Sequence, residues 1–177
     1  SNIMVCRNGM VKLMDFGIAS PAEASFHTMA GTVLGTLQYL APEQLECKRL
    51  DVTSDIYSLG ASLYEALTGA MAFPEPGVHK LMLDKLRGKY KPLDEYRLKV
   101  PRRLRTVIHR CMQHDPKRRV QSATELLSAL GRIHERLTSD TPEQVMRKLV
   151  ETPAGEKVVV GTRPVWPARI AAGAAAA

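Results

Sequence analysis

The sequence predicts a mainly α fold in which a short N-terminal β-hairpin precedes a helical bundle, and three observations predict it. Residues 3–6 and 11–14 are short runs of branched and apolar residues, and Asn8-Gly9 between them is the strongest short hairpin signal. From residue 51 onward, apolar residues recur at helical spacing in several segments, most clearly at i, i+3, i+4 and i+7 over Leu104, Val107, Ile108 and Cys111 and less regularly over 78–87. Gly and Pro stand between these segments, where helices start and stop.

The hairpin comes first. If Asn8 and Gly9 form a two-residue loop, opposed positions sum to seventeen, so Cys6 faces Val11, Met4 faces Leu13 and Asn2 faces Asp15. Opposed Cβ atoms lie roughly 4.5–5.5 Å apart, close enough for an amide oxygen and a carboxylate to share a hard cation such as Mg²⁺. The plainer reading is a hairpin that ends in polar residues. Residues 18–33 lack periodicity and contain Pro21, Gly31, Ser20, Ser25, Thr28 and Thr32. They read as a long exposed loop, and loops beyond about 12–15 residues usually serve a function.

The helices follow. Residues 51–68 carry Ile56, Leu59, Leu63 and Leu67, with Ala61, Tyr64 and Ala66 on other sides, which predicts a helix buried on most faces and ended by Gly69. A loop with Pro74, Pro76 and Gly77 leads to a helix over 78–87 that Gly88 terminates. Pro101 suits a first turn, and Leu104, Val107, Ile108 and Cys111 make a clear amphipathic stripe. The turn at 115–119 precedes Ser122-Ala123-Thr124-Glu125, a capping box, and a helix striped by Leu126, Leu130, Ile133 and Leu137. A short helix over 142–149 is expected next. Pro153, Gly155, Gly161, Pro164 and Pro167 then read as a linker. The apolar end at 170–177 has eight residues, well under the roughly 20 that span a bilayer, and reads either as the start of a membrane segment or as low-complexity Ala.

Composition excludes several classes. With 177 residues, 45% hydrophobic and 24% charged, the chain can bury one good core and is neither disordered nor fibrous. Cys6, Cys47 and Cys111 are far apart and odd in number, which argues against a disulfide framework or a zinc site and for a reducing compartment. The five histidines make no convincing ligand pair. The net charge of +7 is concentrated in residues 80–119, where fourteen Lys and Arg stand against four Asp and Glu. These charges alternate with apolar residues at helical spacing and have no interleaved aromatic platform. They read as the solvated faces of helices rather than a nucleic-acid surface.

Five segments share one resemblance. Asn2, Asp15-Phe16-Gly17, Gly35-Thr36-Leu37-Gln38-Tyr39-Leu40-Ala41-Pro42-Glu43, Ser54-Asp55-Ile56-Tyr57-Ser58-Leu59-Gly60 and Asp115-Pro116-Lys117-Arg118-Arg119 resemble the C-terminal lobe of a Hanks-type serine/threonine protein kinase, most closely its bacterial branch. The resemblance covers residues 1–137 and leaves 138–177 as an extension or linker. It implies transfer of the ATP γ-phosphate to Ser or Thr hydroxyls of protein substrates. It also implies that Asn2 and Asp15 hold Mg²⁺, that Met4 and Met14 lie against the adenine, and that the Thr36 hydroxyl touches the catalytic Asp and Lys. Leu37 and Leu40 would shape the pocket beside the acceptor, and Thr28 and Thr32 are the first phosphosite candidates in an activation loop. Glu43 would pair with Arg119. Asp55 would brace the catalytic loop, although a carboxylate there also has a local explanation in helix capping.

The Gly-rich loop, the strand Lys, its helix Glu and the catalytic Asp of that family fall outside these 177 residues, so the chain alone is expected to be inactive. The competing reading is a pseudokinase or kinase-like interaction module. Protein substrates and a homodimer for autophosphorylation are the implied partners, with no nucleic acid and no membrane segment in the chain. The implied location is the cytoplasm, with membrane anchoring left open for the full-length protein.

Overall fold

The computed structural model describes residues 3–14, 37–74, 77–96 and 100–153. The fold is mainly α with one two-stranded antiparallel sheet. The chain divides into two compact units, one running Ala19–Leu130 and the other combining Ser1–Ile18 with Gly131–Ala177.

The larger unit holds α1 (Pro42–Leu45), α2 (Val52–Thr68), α3 (Val78–Leu86), a 3-10 turn (Leu93–Glu95), α4 (Arg102–Cys111), a second 3-10 turn (Pro116–Arg118) and the start of α5 (Ala123–Leu137). Helix α2 is its centre. Asp51 caps the helix by accepting from the Thr53 N–H at 2.7 Å, a contact of the kind that contributes about 1 kcal/mol. Gly69 closes it at φ +69°, where a Cβ would be strained. The expected start and stop of this helix are therefore the observed ones.

Its buried face differs from the expected one. Ile56, Tyr57, Gly60, Ala61 and Tyr64 are buried, whereas Leu59 is 39% exposed and Leu63 and Leu67 are only partly covered. The reason is Gly60. A Cβ there would lie 2.6 Å from the Cβ of Cys111, so α4 approaches α2 along a small-residue groove that the apolar count alone does not reveal. Leu37, Ala41, Tyr57, Ala61, Tyr64, Phe73, Leu81, Leu93, Ile108 and Met112 complete one core cluster. On α4 the expected stripe is buried at Val107, Ile108 and Cys111, and Pro101 sits one residue ahead of the helix as its cap. At the start of α5, Ser122 Oγ accepts from the Glu125 N–H at 3.1 Å, and Glu125 reaches back to the Gln121 N–H at 2.9 Å.

In the smaller unit, β1 (Ile3–Val5) pairs with β2 (Val11–Leu13) as Ile3 with Leu13, Met4 with Lys12 and Val5 with Val11. Opposed positions sum to sixteen, which corrects the expected seventeen. The turn explains the slip: the Cys6 N–H donates to the Met10 carbonyl at 2.8 Å and Gly9 stands at φ +86°. Arg7, Asn8 and Gly9 thus form a three-residue loop that ends on a left-handed glycine, the second commonest hairpin solution. The expected oppositions of Cys6 with Val11 and Met4 with Leu13 are withdrawn. This ladder count no longer opposes positions 2 and 15, and both lie outside the described residues.

Helix α6 (Pro142–Glu151) opens with a full capping box, Gln144 N–H to Thr141 Oγ1 at 3.3 Å and Thr141 N–H to Gln144 Oε1 at 2.8 Å. Gly9 lies buried against its first turn, where an added Cβ would meet the Glu143 carbonyl oxygen at 2.0 Å. Among the described residues no helix is long and apolar enough to cross a membrane. The three cysteines are free.

Candidate functional site

Five polar side chains fasten the segment from Leu37 to Glu43 to the helices around it. Arg119 is 1% exposed, yet all five of its N–H donors are used. Nε donates to the Gln113 carbonyl at 2.7 Å, Nη1 to Glu43 Oε1 at 2.6 Å and the Thr53 carbonyl at 3.0 Å, and Nη2 to Glu43 Oε2 at 2.7 Å and the His114 carbonyl at 3.0 Å. The pair is bidentate and buried on both sides. Ser54 Oγ donates a further hydrogen bond to Glu43 Oε1 at 2.7 Å. Burial alone would push the Glu43 carboxyl up, but the hydrogen bonds from Arg119 and Ser54 outweigh it and hold its pKa below the ordinary value.

The local sequence explains how Arg119 arrives there. Asp115 accepts from the Lys117 N–H at 3.0 Å, an Asx turn that Pro116 stiffens, and the short 3-10 turn then aims the next side chain inward. On the other side, Pro42 starts α1 and Gln44 reaches back to the Ala41 N–H at 2.7 Å. Glu43 is thereby fixed on the first turn.

Three further contacts hold the segment. Tyr39 donates to Glu65 Oε2 at 2.5 Å, which with burial raises the phenol's pKa, and Ser58 Oγ donates to the Tyr39 carbonyl at 2.9 Å. Lys85, fully buried on α3, donates to the Leu40 carbonyl at 2.7 Å. Its Nζ lies 5.0 Å from the Tyr57 ring centroid and 4.7 Å from that of Phe73, and the Arg119 guanidinium is 4.9 Å from the same Tyr57 ring. The structure thus brings Leu37, Leu40, Glu43 and Arg119 into one assembly.

The other expected site residues are placed differently. Asp55 is exposed in the first turn of α2 and is not its cap, a role that Asp51 fills. Met4 and Met14 are exposed at 43% and 42%. The corrected register sets Met4, Lys12 and Met14 on one face of the hairpin and Ile3, Val5, Val11 and Leu13 on the other, so both methionines share a face that the expected register would have split. Asn2, Asp15, Thr28, Thr32 and Thr36 lie outside the described residues. Among the described residues, no group of three or more His, Cys, Asp or Glu is arranged to hold a metal.

Sequence reasoning missed Ser54, Glu65 and Lys85. Only Lys85 had a usable signal, since it follows buried Leu81 by one helical turn and so sits on the apolar stripe of α3.

Comparison with known proteins agrees with this geometry. Residues 1–130 match the protein kinase domain model. The serine/threonine-protein kinase PknB of Mycolicibacterium smegmatis is 36% identical over 145 residues, 81% of this chain and 23% of that protein. Serine/threonine-protein kinase A of Synechocystis is 34% identical, covering 88% of this chain and 31% of its own length. The tyrosine-protein kinase MasK of Myxococcus xanthus is 36% identical over 73% of this chain and 20% of its own. This chain therefore spans less than a third of these relatives. Among solved structures, the Rad53 kinase domain with SCD2 in complex with AMPPNP superposes with a TM-score of 0.55 at 24% identity, over 72% of this chain and 45% of that one. The 0.55 superposition carries the fold and the 1–130 match carries the membership: this chain belongs to the Hanks-type protein kinase family.

Proposed function

We propose that this chain supplies the C-terminal lobe, residues 1–137, of a cytoplasmic serine/threonine kinase that transfers the ATP γ-phosphate to hydroxyls of protein substrates. Residues 138–177 form its extension. The observation that carries the reading is the buried Glu43–Arg119 pair, which fixes the Leu37 to Glu43 segment where a protein substrate would dock. Phosphoryl transfer depends on positioning and electrostatic stabilisation more than on covalent chemistry, and a segment held by this many buried contacts is a positioning device.

The hairpin residues fit the nucleotide. Met4 and Met14 are exposed on one face of the hairpin beside Lys12 and offer apolar side chains that suit an adenine ring, and the Asp15 carboxylate with the Asn2 amide oxygen is a hard donor set that suits Mg²⁺. When bound, Mg²⁺ neutralises the phosphate charge. Thr36 orients the catalytic Asp and Lys of the complete domain, and Leu37 and Leu40 receive the residue beside the acceptor. Thr28 and Thr32 are the sites at which a second copy of the kinase phosphorylates this one. A phosphate of about −1.5 to −2 charge there orders the loop by pairing with Arg.

The test is Asp15→Asn in the full-length protein. Removing one metal-binding charge abolishes transfer to a generic Ser/Thr protein substrate while the unfolding midpoint stays near that of the wild type. Transfer at the wild-type rate would refute the metal assignment, and a wild-type protein with no transfer at all would favour a pseudokinase.

A further inference from the structure

A fully buried lysine with a carbonyl for a partner needs a reason to be there. Taking an ammonium out of water is costly unless it is paired, and Lys85 is 0% exposed. The groups that face it are the Leu40 carbonyl, the Tyr57 ring of α2 and the Phe73 ring of the loop before α3. The ionic pair of Glu43 with Arg119 is closed on itself and shares the Tyr57 ring with Lys85. Leu40 immediately precedes Ala41-Pro42-Glu43, so the Lys85 contact and the Glu43 contact hold two points of one short segment.

We propose that Lys85 is a positioning residue for the protein substrate: its ammonium draws the Leu40 carbonyl towards α3 and so sets the shape of the docking segment. The proposal rests on the kinase reading. A hydrophobic side chain of the same length would fill the space between Tyr57 and Phe73 equally well, but it would leave the Leu40 carbonyl without its donor. Lys85 therefore contributes orientation that packing alone does not supply. Burial also lowers its pKa from 10.5 to about 7, so the strength of this contact changes near neutrality. Below about 7 the bond to Leu40 is charge-assisted, and above it a neutral amine donates more weakly.

The experiment compares Lys85→Met and Lys85→Arg with the wild type in the full-length kinase. A hydrogen bond from a charged donor is worth enough to change affinity about tenfold when lost. Lys85→Met is expected to raise KM for the protein substrate by about that factor, with kcat and KM for ATP unchanged and the unfolding midpoint not lowered. Wild-type KM for the substrate should rise with pH through about 7, whereas Lys85→Met should show no such inflection and Lys85→Arg, permanently charged, should keep a low KM throughout. Hydrogen exchange of the amides over residues 37–45 should be faster in Lys85→Met. Unchanged substrate KM in an active enzyme, or unchanged exchange, overturns the proposal. A wild type without transfer but with faster exchange in Lys85→Met overturns the kinase reading alone, and leaves Lys85 holding this segment for whatever docks on it.

Discussion

Arg119 and Glu43 lie 76 positions apart in the chain, and breaking their pair from either side is the sharpest test of the fold. Glu43→Ala leaves a buried guanidinium that still has three carbonyls and the Tyr57 ring. Arg119→Ala leaves a buried carboxylate with the Ser54 hydroxyl and its own backbone N–H, and strips donors from the Gln113, Thr53 and His114 carbonyls as well. Removing one partner of a buried pair costs about 3–5 kcal/mol. The inventory places Glu43→Ala at the lower end and Arg119→Ala at the upper end. At about 2–4 °C per kcal/mol for a chain of this size, the unfolding midpoint should fall by roughly 6–12 °C in Glu43→Ala and roughly 10–20 °C in Arg119→Ala.

Thermal or urea unfolding of the two single variants and the double variant measures this directly. The double variant should be less damaged than the sum by about 0.5–3 kcal/mol, the usual coupling of residues in contact. The pH dependence has a definite sign. The Glu43 pKa is depressed in the folded state from its ordinary 4.5, so its contribution is complete above about that pH and is lost as pH falls through the lower folded value. The acid limb of the wild type should therefore be steeper than that of Glu43→Ala. Strict additivity, or identical acid limbs, would mean that the two side chains do not interact, and the assembly around Leu37–Glu43 would have to be abandoned.

Other perturbations probe the parts that position this site. Gly60→Ala should destabilise by about 1–3 kcal/mol, because its Cβ would meet the Cβ of Cys111 at 2.6 Å and force α2 and α4 apart; an unchanged urea midpoint would refute the close approach. Gly9→Ala, at φ +86° and against the Glu143 carbonyl, should speed hydrogen exchange in α6 and leave α2 as protected as before. For Lys85 the unfolded chain holds a proton between about 7 and 10.5 that the folded protein releases, so wild-type stability should rise with pH across that window, by up to about 5 kcal/mol. Lys85→Met should show no such rise.

Much of the fold was legible because local chemistry decided it. Gly69 stops α2 where the sequence expects it to, while the cap is Asp51 and not Asp55, and the stripe of α4 is the one its spacing predicts. The hairpin was legible in kind and misread in register, since Asn8-Gly9 suits both a two-residue loop and the end of a three-residue loop. A two-residue type I′ loop needs positive φ at Asn8 as well as Gly9, and of the two only Gly9 has it, so the chain takes the three-residue loop. The buried face of α2 was misread for a different reason. Leu59 outranks Gly60 in hydrophobicity, but what decides the face is how closely another helix can approach, and Gly60 admits the Cys111 side chain. The Glu43–Arg119 pair had no local signal and came only from the family resemblance.

The charged residues carry the remaining lesson. The strip at 80–119 reads as solvated helix faces, and Arg87, Lys89, Arg102, Arg103 and Arg110 are indeed exposed. Lys85 and Arg119 are buried, and nothing in residue type separates them from the rest. Burial of a cation depends on acceptors and rings that arrive from elsewhere in the chain, here the Leu40 carbonyl, the Glu43 carboxylate and the Tyr57 ring. Position does separate them. Lys85 occupies a core-facing turn of α3 after Leu81, and Arg119 follows an Asx turn that points it inward. A cation placed by its backbone where an apolar residue would serve packing better is there for what it donates. Lys85 and Arg119 spend those donors on the Leu40 carbonyl and the Glu43 carboxylate, three residues apart in the segment proposed to meet the substrate.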